Sequence, residues 1–370
     1  MNELGGMKVE KEGIFVDVNI LASFMKDVFI KSGVPKEDSQ ICSDVLIASD
    51  LRGIESHGVQ RLKMYYDRIK AGIQSPQTKI IIEQESPTTA RLDAGHGMGH
   101  VAAYRGMEIA IKKAKQYGSG AVSVGNSTHF GIAGYYSEMA VKADMIGITC
   151  TNARPSIAPT FGTEPMLGTN PLTIGIPTDE DFPFLYDAAT SITQRGKIEV
   201  KARSSSPLPE GWVIDEKGDL ATDSERILKE LIEGKAALLP LGGSGELLGG
   251  YKGYGFATAV EIFSAALSNG PFLKDLTLEK GYKLGHFFLA INVDSFLPID
   301  RFKKIAGNIV RELRKSKKAP GQTRIYTAGE KEYEMEKERR KTGIPVNPSI
   351  LEDIKFLQGE LGLTEKYSFN

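Results

Sequence analysis

The chain has 370 residues, more than one hydrophobic core usually serves, so two subdomains or one domain with an attached layer are expected. A formal net charge of −1 leaves no overall basic field that would hold nucleic acid or an anionic membrane. Two cysteines, Cys42 and Cys150, are too few for a disulfide scaffold or a zinc knuckle, so no metal site is predicted and a reducing compartment fits.

Targeting and membrane segments are not evident in the sequence. Residues 1–15 lack the apolar core of a signal peptide, and no stretch reaches the roughly 20 apolar residues of a membrane span. The last four residues, YSFN, match neither a prenylation nor a peroxisomal signal. A cytoplasmic location is therefore the default expectation.

Helical periodicity dominates both ends of the chain. Apolar residues recur at helical spacing from Val18 to Phe29, a second helix opens at Pro35, and a third is expected over 59–70. Charged amphipathic helices return after Pro298 and end with one over 350–361. We therefore predict a helical N-terminal part over 1–75 and a helical C-terminal part over 298–370.

The middle of the chain, 76–297, alternates apolar runs with amphipathic stretches. Strands are expected at 121–124, 146–150, 172–176 and 287–293, and helices at 100–117, 132–143 and 256–267. Such alternation is typical of an α/β fold in which at least part of the sheet is parallel.

Glycine is abundant and clustered. Forty glycines make up about 11% of the chain, against ~7% in an average protein, and they concentrate at 95–99, 118–134 and 242–255. Such clusters indicate sharp turns or a close approach of the backbone, which in an α/β protein is often to a cofactor. A GxGxxG fingerprint and a GxxxxGK[ST] phosphate loop are both absent.

Two polar segments carry the strongest candidates for chemistry. His57 and Arg61 are i and i+4, so they can share a helix face and bind a carboxylate, unless they are a helix cap and a surface ion pair. His129 lies between glycines after a predicted strand, where a general base is well placed, although it could instead cap the next helix. His96, His100 and His286 are interpreted as structural.

Further candidates lie in loops. The proline-rich stretch 152–171 predicts an ordered wall of a site. Asp187 follows an apolar run, where an acid can hold ribose hydroxyls, and Ala188 and Ala189 let the backbone approach a ligand. Lys252 precedes the helix expected at 256–267, so it suits a phosphate or carboxylate, or is simply a solvated lysine.

Six segments, in order, resemble the malate/L-lactate dehydrogenase family, whose members include ureidoglycolate and sulfolactate dehydrogenases and Δ1-piperideine-2-carboxylate reductase. They are RGIESHGVQR (52–61), GNSTHFGIAGYY (125–136), FGTEPMLGTNPL (161–172), DAATSITQRGKIE (187–199), GGYKGYGFA (249–257) and GHFFLAINVDSF (285–296). The resemblance implies a non-Rossmann NAD(P)-binding sheet domain, a helical layer built from both chain ends, and a homodimer.

The resemblance also assigns roles. His129 would be the acid/base that takes the hydroxyl proton of a 2-hydroxy acid, and His57 and Arg61 would grip the carboxylate. The implied cofactor contacts are Thr169, Asn170, Asp187, Ala188, Ala189, Lys252, Gly253, Gly329, Glu330 and Lys331.

Within the family, the segment at 187–199 looks most like the malate dehydrogenases. Arg154 or Arg195 could bind the second carboxylate of malate. Lactate, sulfolactate, ureidoglycolate and cyclic imine-2-carboxylates stay open as substrates. NAD is expected as the cofactor, with NADP possible.

Overall fold

The computed structural model describes residues 13–277 and 281–369. The signal-peptide prediction concerns residues 1–15. Of these, residues 1–12 lie outside the part of the chain that the structure describes. The helices are α1 (Val18–Lys31), α2 (Lys36–Leu51), α3 (Leu62–Lys70), α4 (Gly99–Tyr117), α5 (Gly134–Lys142), α6 (Arg195–Arg203), α7 (Ser224–Glu233), α8 (Gly250–Glu261), α9 (Ile299–Lys315), α10 (Glu330–Thr342) and α11 (Pro348–Leu361). The strands are β1 (Ile14–Val16), β2 (Ile81–Glu85), β3 (Thr89–Asp93), β4 (Ser119–Ser127), β5 (Met145–Thr151), β6 (Leu172–Ile176), β7 (Phe184–Ala188), β8 (Val213–Asp215), β9 (Ala236–Leu238), β10 (Leu284–Asn292) and β11 (Ile344–Val346). Within the described ranges, no helix is long and apolar enough to cross a membrane.

The chain divides into two compact units. The helical unit takes the chain up to Gln77 and again from Glu330, and the sheet unit takes Thr78–Gly329. In the helical unit, β1 and β11 from opposite ends of the chain pair antiparallel. Phe24 of α1 is fully buried and makes edge-to-face contacts with Tyr367 and Phe369 near the C-terminus. The expected α/β class with helices contributed by both chain ends is confirmed.

The sheet unit is built on seven strands in the order β2-β3-β4-β10-β5-β6-β7. Only β3 and β4 are parallel, and the other neighbouring pairs are antiparallel. The sheet is therefore mixed, and the expected parallel character is limited to one pair. These mostly antiparallel pairs distinguish the sheet from a Rossmann sheet, whose strands are mostly parallel.

Several candidate residues lie at one end of this sheet. Because β4 and β5 both run antiparallel to β10, they point the same way, and the pairings of β3 and β7 give those strands that direction too. The loops after β3, β4, β5 and β7, and the segments before β6 and β10, therefore share one end of the sheet, which we call the site end. Ligands in α/β proteins commonly bind at the carboxyl ends of strands.

Helix α9 belongs to the sheet unit, which differs from the expected helical part over 298–370. A Cβ at Gly307 would lie 1.7 Å from Asp179 Oδ1, so α9 packs closely on the turn before β7. Arg311 donates to Asp179 at 2.8 Å and to Glu180 at 2.6 Å. The sequence shows that α9 is amphipathic, but it does not show which surface the apolar and basic positions contact.

The long loop at 152–171 is ordered, as expected. Ile157 is fully buried and forms bridges with both Leu167 and Leu238. It belongs to a core cluster with Ile198, Val213 and other side chains around the two-stranded sheet β8–β9. The loop is thus anchored by its own small core.

Candidate active site

The backbone that carries His129 is held by its neighbour Thr128 at the site end. Thr128 Oγ1 accepts from the Gly99 N–H at 3.0 Å and donates to the Gly97 carbonyl at 2.9 Å. A Cβ at Gly99 would lie 2.1 Å from the Thr128 carbonyl oxygen. The glycine cluster at 95–99 thus lets the start of α4 approach the chain beside His129, whereas the sequence suggested an approach to a cofactor.

Phe130, the residue after His129, belongs to a stack of rings. The Phe130 ring stacks on His286 at 4.6 Å between centroids and on Tyr136 at 5.0 Å. All three rings are buried. Since the residues before and after His129 are both fixed, the His129 backbone is preorganised.

The His129 side chain itself is partly buried. The Gly131 N–H donates to its Nδ1 at 3.4 Å, which is long for a hydrogen bond. A bond of this length does not decide which ring nitrogen carries the proton. An imidazole can accept or donate a proton, which is the property that a catalytic acid/base requires.

His286 is buried with both ring nitrogens bonded. Thr151 Oγ1 donates to the Gly285 carbonyl at 2.9 Å, so it can accept the Nδ1–H of His286, 2.7 Å away. Ser127 Oγ lies 2.8 Å from Nε2 and would then donate to it. This network fits a neutral imidazole, and burial lowers the pKa of His286 to about 3.

Burial, followed by the nearby His286, likewise lowers the pKa of His100 to about 3. Both histidines are thus assigned to the interior, in agreement with the structural interpretation. An unfolded histidine has a pKa of about 6.5. As the pH falls from 6.5 toward 3, each histidine binds a proton in the unfolded chain but not in the folded one. The contribution of each group to the free energy of unfolding is therefore complete above pH 6.5 and is lost over this range.

We expect His100 and His286 to stay neutral in the folded protein when the pH falls from 8 to 4.5. The physical reason is the loss of hydration that an imidazolium would suffer in both places. The measurement is an NMR titration of protein with isotope-labelled histidine, with signals assigned through His100→Gln and His286→Gln. A shift of either ring signal with a midpoint near pH 6 would contradict the prediction.

In the helical unit, Ser56 links the two predicted carboxylate-binding residues. Its carbonyl accepts from Arg61 Nε at 2.7 Å, and its hydroxyl lies 2.8 Å from His57 Nδ1. His57 and Arg61 do not share an α-helix, as the i, i+4 spacing suggested, but end two successive 3-10 turns, Glu55–His57 and Val59–Arg61. Ser56 was not among the predicted site residues.

The electrostatics of this pair suit an anionic ligand. Burial, followed by the charge of Arg61, lowers the pKa of His57 to about 4, so its imidazole is neutral at physiological pH. A neutral ring that accepts from Ser56 at Nδ1 carries its proton on Nε2 and can donate it. No carboxylate of a described residue pairs with the Arg61 guanidinium, whose Nη1 and Nη2 have the geometry for a ligand carboxylate.

Asp187 connects the end of β7 to the start of α5. The Gly134 N–H donates to its Oδ2 at 2.7 Å, and Thr173 Oγ1 donates to its Oδ1 at 3.0 Å. The carboxylate is nevertheless exposed. Asp187 can therefore hold the start of α5 and accept hydroxyl donors of a ligand.

Hydrogen bonds continue from β7 to the start of α8. The Thr190 N–H donates to the Thr169 carbonyl at 2.9 Å, and the Leu241 N–H donates to the Thr190 carbonyl at 2.8 Å. A Cβ at Gly253 would lie 2.2 Å from the Leu241 carbonyl oxygen, so α8 packs directly on this strand-like segment. Lys252 is exposed in the first turn of α8, which begins six residues before the predicted helix at 256–267.

Asn170 has a structural role that the sequence did not reveal. Its Nδ2 donates to the Ala257 carbonyl at 2.9 Å and to Glu261 Oε2 at 2.8 Å, and its Oδ1 accepts from the Ala153 N–H at 3.2 Å. Glu261 Oε1 accepts from Asn152 Nδ2 at 3.4 Å. The buried Glu261 thus bonds both ends of the loop 152–171, and the Asn170 side chain is used within the fold.

The remaining predicted cofactor residues lie near the boundary of the two units along the chain. Gly329 closes the sheet unit with a φ of +89°, and a Cβ there would lie 3.1 Å from the Leu185 nitrogen, two residues before Asp187. Glu330 and Lys331 open α10 in the helical unit. Glu330 is buried.

The sheet unit has groups that fit a dinucleotide. Ribose hydroxyls need acceptors, which the exposed Asp187 carboxylate supplies, and Ala188 adds little bulk beside it. Phosphates need donors and positive charge, which Lys252 and the N-terminus of α8 can supply. Among the described residues, no group of three or more His, Cys, Asp or Glu is arranged to hold a metal ion.

The comparisons with known proteins show that the chain is a dehydrogenase that acts on hydroxy acids. The family model for malate/L-lactate dehydrogenase matches residues 16–355, and the chain belongs to this family. This membership explains a dinucleotide-binding fold that lacks the GxGxxG segment.

The most informative relatives align over nearly their whole length. A malate dehydrogenase from Pyrococcus horikoshii is 45% identical over 357 residues, which cover 96% of this chain and 98% of the relative. An L-sulfolactate dehydrogenase from Methanocaldococcus jannaschii is 39% identical, with 91% and 94% covered. The crystal structure of malate dehydrogenase from Entamoeba histolytica superposes with a TM-score of 0.93 at 47% identity, covering 95% of this chain and 99% of that chain.

Proposed function

We propose that the protein is an NAD-dependent dehydrogenase that interconverts malate and oxaloacetate. The observation that carries the proposal is the group formed by His57, Ser56 and Arg61. The Arg61 guanidinium pairs with no carboxylate in the part of the chain that the structure describes, and the neighbouring His57 is neutral. Such a pair recognises the carboxylate that all 2-hydroxy and 2-oxo acids share. The malate dehydrogenases among the relatives favour malate within this class.

The proposed chemistry assigns one task to each group. When bound, NAD would supply the acceptor for the C2 hydride of the hydroxy acid, and NADH would supply the donor for the oxo acid. Arg61 and His57 hold the C1 carboxylate, which fixes C2 in position. His129 takes the hydroxyl proton during oxidation and returns it to the oxygen during reduction of the oxo acid.

The proposal places the dinucleotide on the site end of the sheet unit. Asp187 accepts from ribose hydroxyls, and Lys252 with the start of α8 binds phosphate. Thr169, Ala188, Ala189, Gly253 and Gly329 contribute backbone that can approach closely, as can the backbone of Asn170. Glu330 and Lys331, at the start of α10, complete the set of proposed contacts.

The test follows NADH and NADPH absorbance as the protein meets oxaloacetate, pyruvate, sulfopyruvate, oxalurate and Δ1-piperideine-2-carboxylate. The proposal predicts the highest kcat/KM for oxaloacetate with NADH. Higher activity with another oxo acid would replace malate by that substrate and keep the mechanism. Activity with none of the five would remove the proposal, even if the cofactor binds.

Arg154 is the stronger of the two candidates for the second carboxylate of malate. It is exposed in the loop after β5, at the site end. No carboxylate among the residues that the structure describes pairs with it. Arg195, by contrast, is 3.0 Å from Glu199. Strands β4 and β5 flank β10 and are therefore about 10 Å apart, so the loops that follow them are close enough to share a small substrate.

We expect Arg154→Met to lower kcat/KM for oxaloacetate by roughly 10- to 100-fold, because a charge-assisted hydrogen bond contributes about 1.5–3 kcal/mol. Activity with pyruvate, which has no second carboxylate, should change little. Arg195→Met is the matched control and should leave both values near wild type. Equal losses for oxaloacetate and pyruvate in Arg154→Met would exclude a role in specificity.

Two further parts of the proposal concern the assembly and its location. We propose a homodimer, supported by the exposed apolar side chains of Phe256, Ile262, Phe263 and Leu267 along α8 and the turn after it. A molar mass of 40.3 kDa by light scattering, the mass of one chain, would contradict it. The buried free cysteines support the cytoplasm, which cell fractionation tests.

A further inference from the structure

The helical unit contains a buried carboxyl group that the proposed mechanism does not use. Asp50 lies one residue before the end of α2, and 1% of its surface is exposed. Its Oδ2 accepts from the Val59 N–H at 2.8 Å. A Cβ at Gly58 would lie 1.8 Å from Asp50 Oδ1, so a side chain at position 58 would displace the carboxyl group.

This contact falls at the joint between two turns. Gly58 separates the 3-10 turn that ends with His57 from the one that ends with Arg61. The Arg61 N–H donates to the Gly58 carbonyl at 2.9 Å, so the position of the Gly58 peptide is passed on to Arg61. The Asp50 carboxyl group thus fixes the angle between the turns that carry His57 and Arg61.

Other contacts hold Asp50 and the first turn in place. Arg339 of α10 donates to the Asp50 carbonyl oxygen and forms an ion pair with Glu55. Ser49 Oγ donates to the Ile54 carbonyl at 2.7 Å. The joint is therefore attached to two helices of the same unit and cannot shift without breaking buried hydrogen bonds.

The protonation state of Asp50 informs the choice of variants. Burial, partly offset by the Val59 hydrogen bond, raises the pKa of Asp50 to about 8. The group is therefore largely protonated at neutral pH, and an asparagine reproduces its neutral shape. Either side chain keeps one oxygen that can accept from the Val59 N–H.

We propose that Asp50 is a positioning residue for substrate binding, which sets the spacing of His57 and Arg61 by holding the Gly58–Val59 peptide. The inference rests on the proposed function, in which this pair binds the substrate carboxylate. Asp50 has no contact with the reacting atoms. Its loss should therefore raise KM for the oxo acid more than it lowers kcat.

The experiment compares Asp50→Ala and Asp50→Asn with Asp44→Asn, a control on the same helix whose carboxylate accepts from Gln40 at 2.7 Å. Asp50→Ala leaves the buried Val59 N–H without its acceptor, and we expect KM for oxaloacetate to rise roughly 10- to 100-fold. Asp50→Asn should recover most of this loss. Fluorescence titration should show NADH affinity within about twofold of wild type in all three.

The outcomes distinguish failure of this inference from failure of the proposed function, and a second variant covers the case in which Asp50→Ala does not fold. KM within twofold of wild type in Asp50→Ala overturns the inference, as does an equal loss of kcat in Asp50→Ala and Asp50→Asn without a change in KM. If Asp50→Ala does not fold, Gly58→Ala displaces the same carboxyl group, and an unchanged KM there overturns the inference. An unchanged KM in Arg61→Met would instead refute the proposed function.

Discussion

Replacement of His129 with alanine is expected to lower kcat by about 10²–10⁴-fold, the usual contribution of a general acid/base. The fixed neighbours Thr128 and Phe130 make this effect specific to the ring, since the backbone should keep its course when the imidazole is removed. NADH binding should stay near wild type, because the proposed cofactor contacts lie on other segments. The measurement is steady-state kinetics with oxaloacetate beside a fluorescence titration with NADH.

His96→Asn is the matched control for this experiment. His96 lies in the loop after β3, also at the site end, and its φ of +55° is one that asparagine tolerates. We expect this variant to keep kcat within a few-fold of wild type. Turnover by His129→Ala close to that of His96→Asn would show that another group transfers the proton.

The strands show how far local sequence predicts the fold. Strand β6 was predicted at 172–176 and is found there, because Pro171 and Pro177 limit the apolar run on both sides. Strand β4 was predicted at 121–124 but spans Ser119–Ser127, since its polar ends pair with β10. A distant partner of this kind leaves no sign in local composition.

The glycine-rich segment at 249–255 shows the reverse error. The apolar run predicts a helix only from Phe256, and glycine disfavours helices by about 1 kcal/mol per residue. It begins at Gly250, because Gly250 and Gly253 allow close packing on the backbone of Gly243 and Leu241. Tertiary contact outweighs propensity here.

Some residues of the candidate site could be predicted from the sequence, and others could not. His129 and Arg61 could be proposed from the sequence because an imidazole suits an acid/base and a guanidinium suits a carboxylate, but the residues alone also allowed a helix cap and a surface ion pair, and the family resemblance assigned the roles. Asp50 and Glu261 could not, since an acid in a helix normally faces water. Only the packing shows that both are buried and that each holds a segment carrying candidate residues.

Replacement of Arg61 with methionine is expected to raise KM for oxaloacetate by about 30-fold or more, because truncating one partner of a buried hydrogen-bonded charge pair costs about 2–5 kcal/mol. Methionine keeps the apolar length of the side chain and removes the guanidinium. The hydrogen bond from Nε to the Ser56 carbonyl is also lost, with a net cost to stability of about 1 kcal/mol. Thermal unfolding, measured beside the kinetics, separates this loss from the loss of binding.

Two variants sharpen the interpretation of Arg61→Met. Lys63→Met removes a positive charge two residues away, one that already pairs with Asp67 at 2.7 Å, and should leave KM unchanged. Arg61→Lys keeps the charge but cannot bind a carboxylate through two parallel N–H groups, so its KM should lie between the wild-type and Arg61→Met values. An equal rise of KM in Arg61→Met and Lys63→Met would mean that Arg61 attracts the anion only through its charge and does not contact the carboxylate directly.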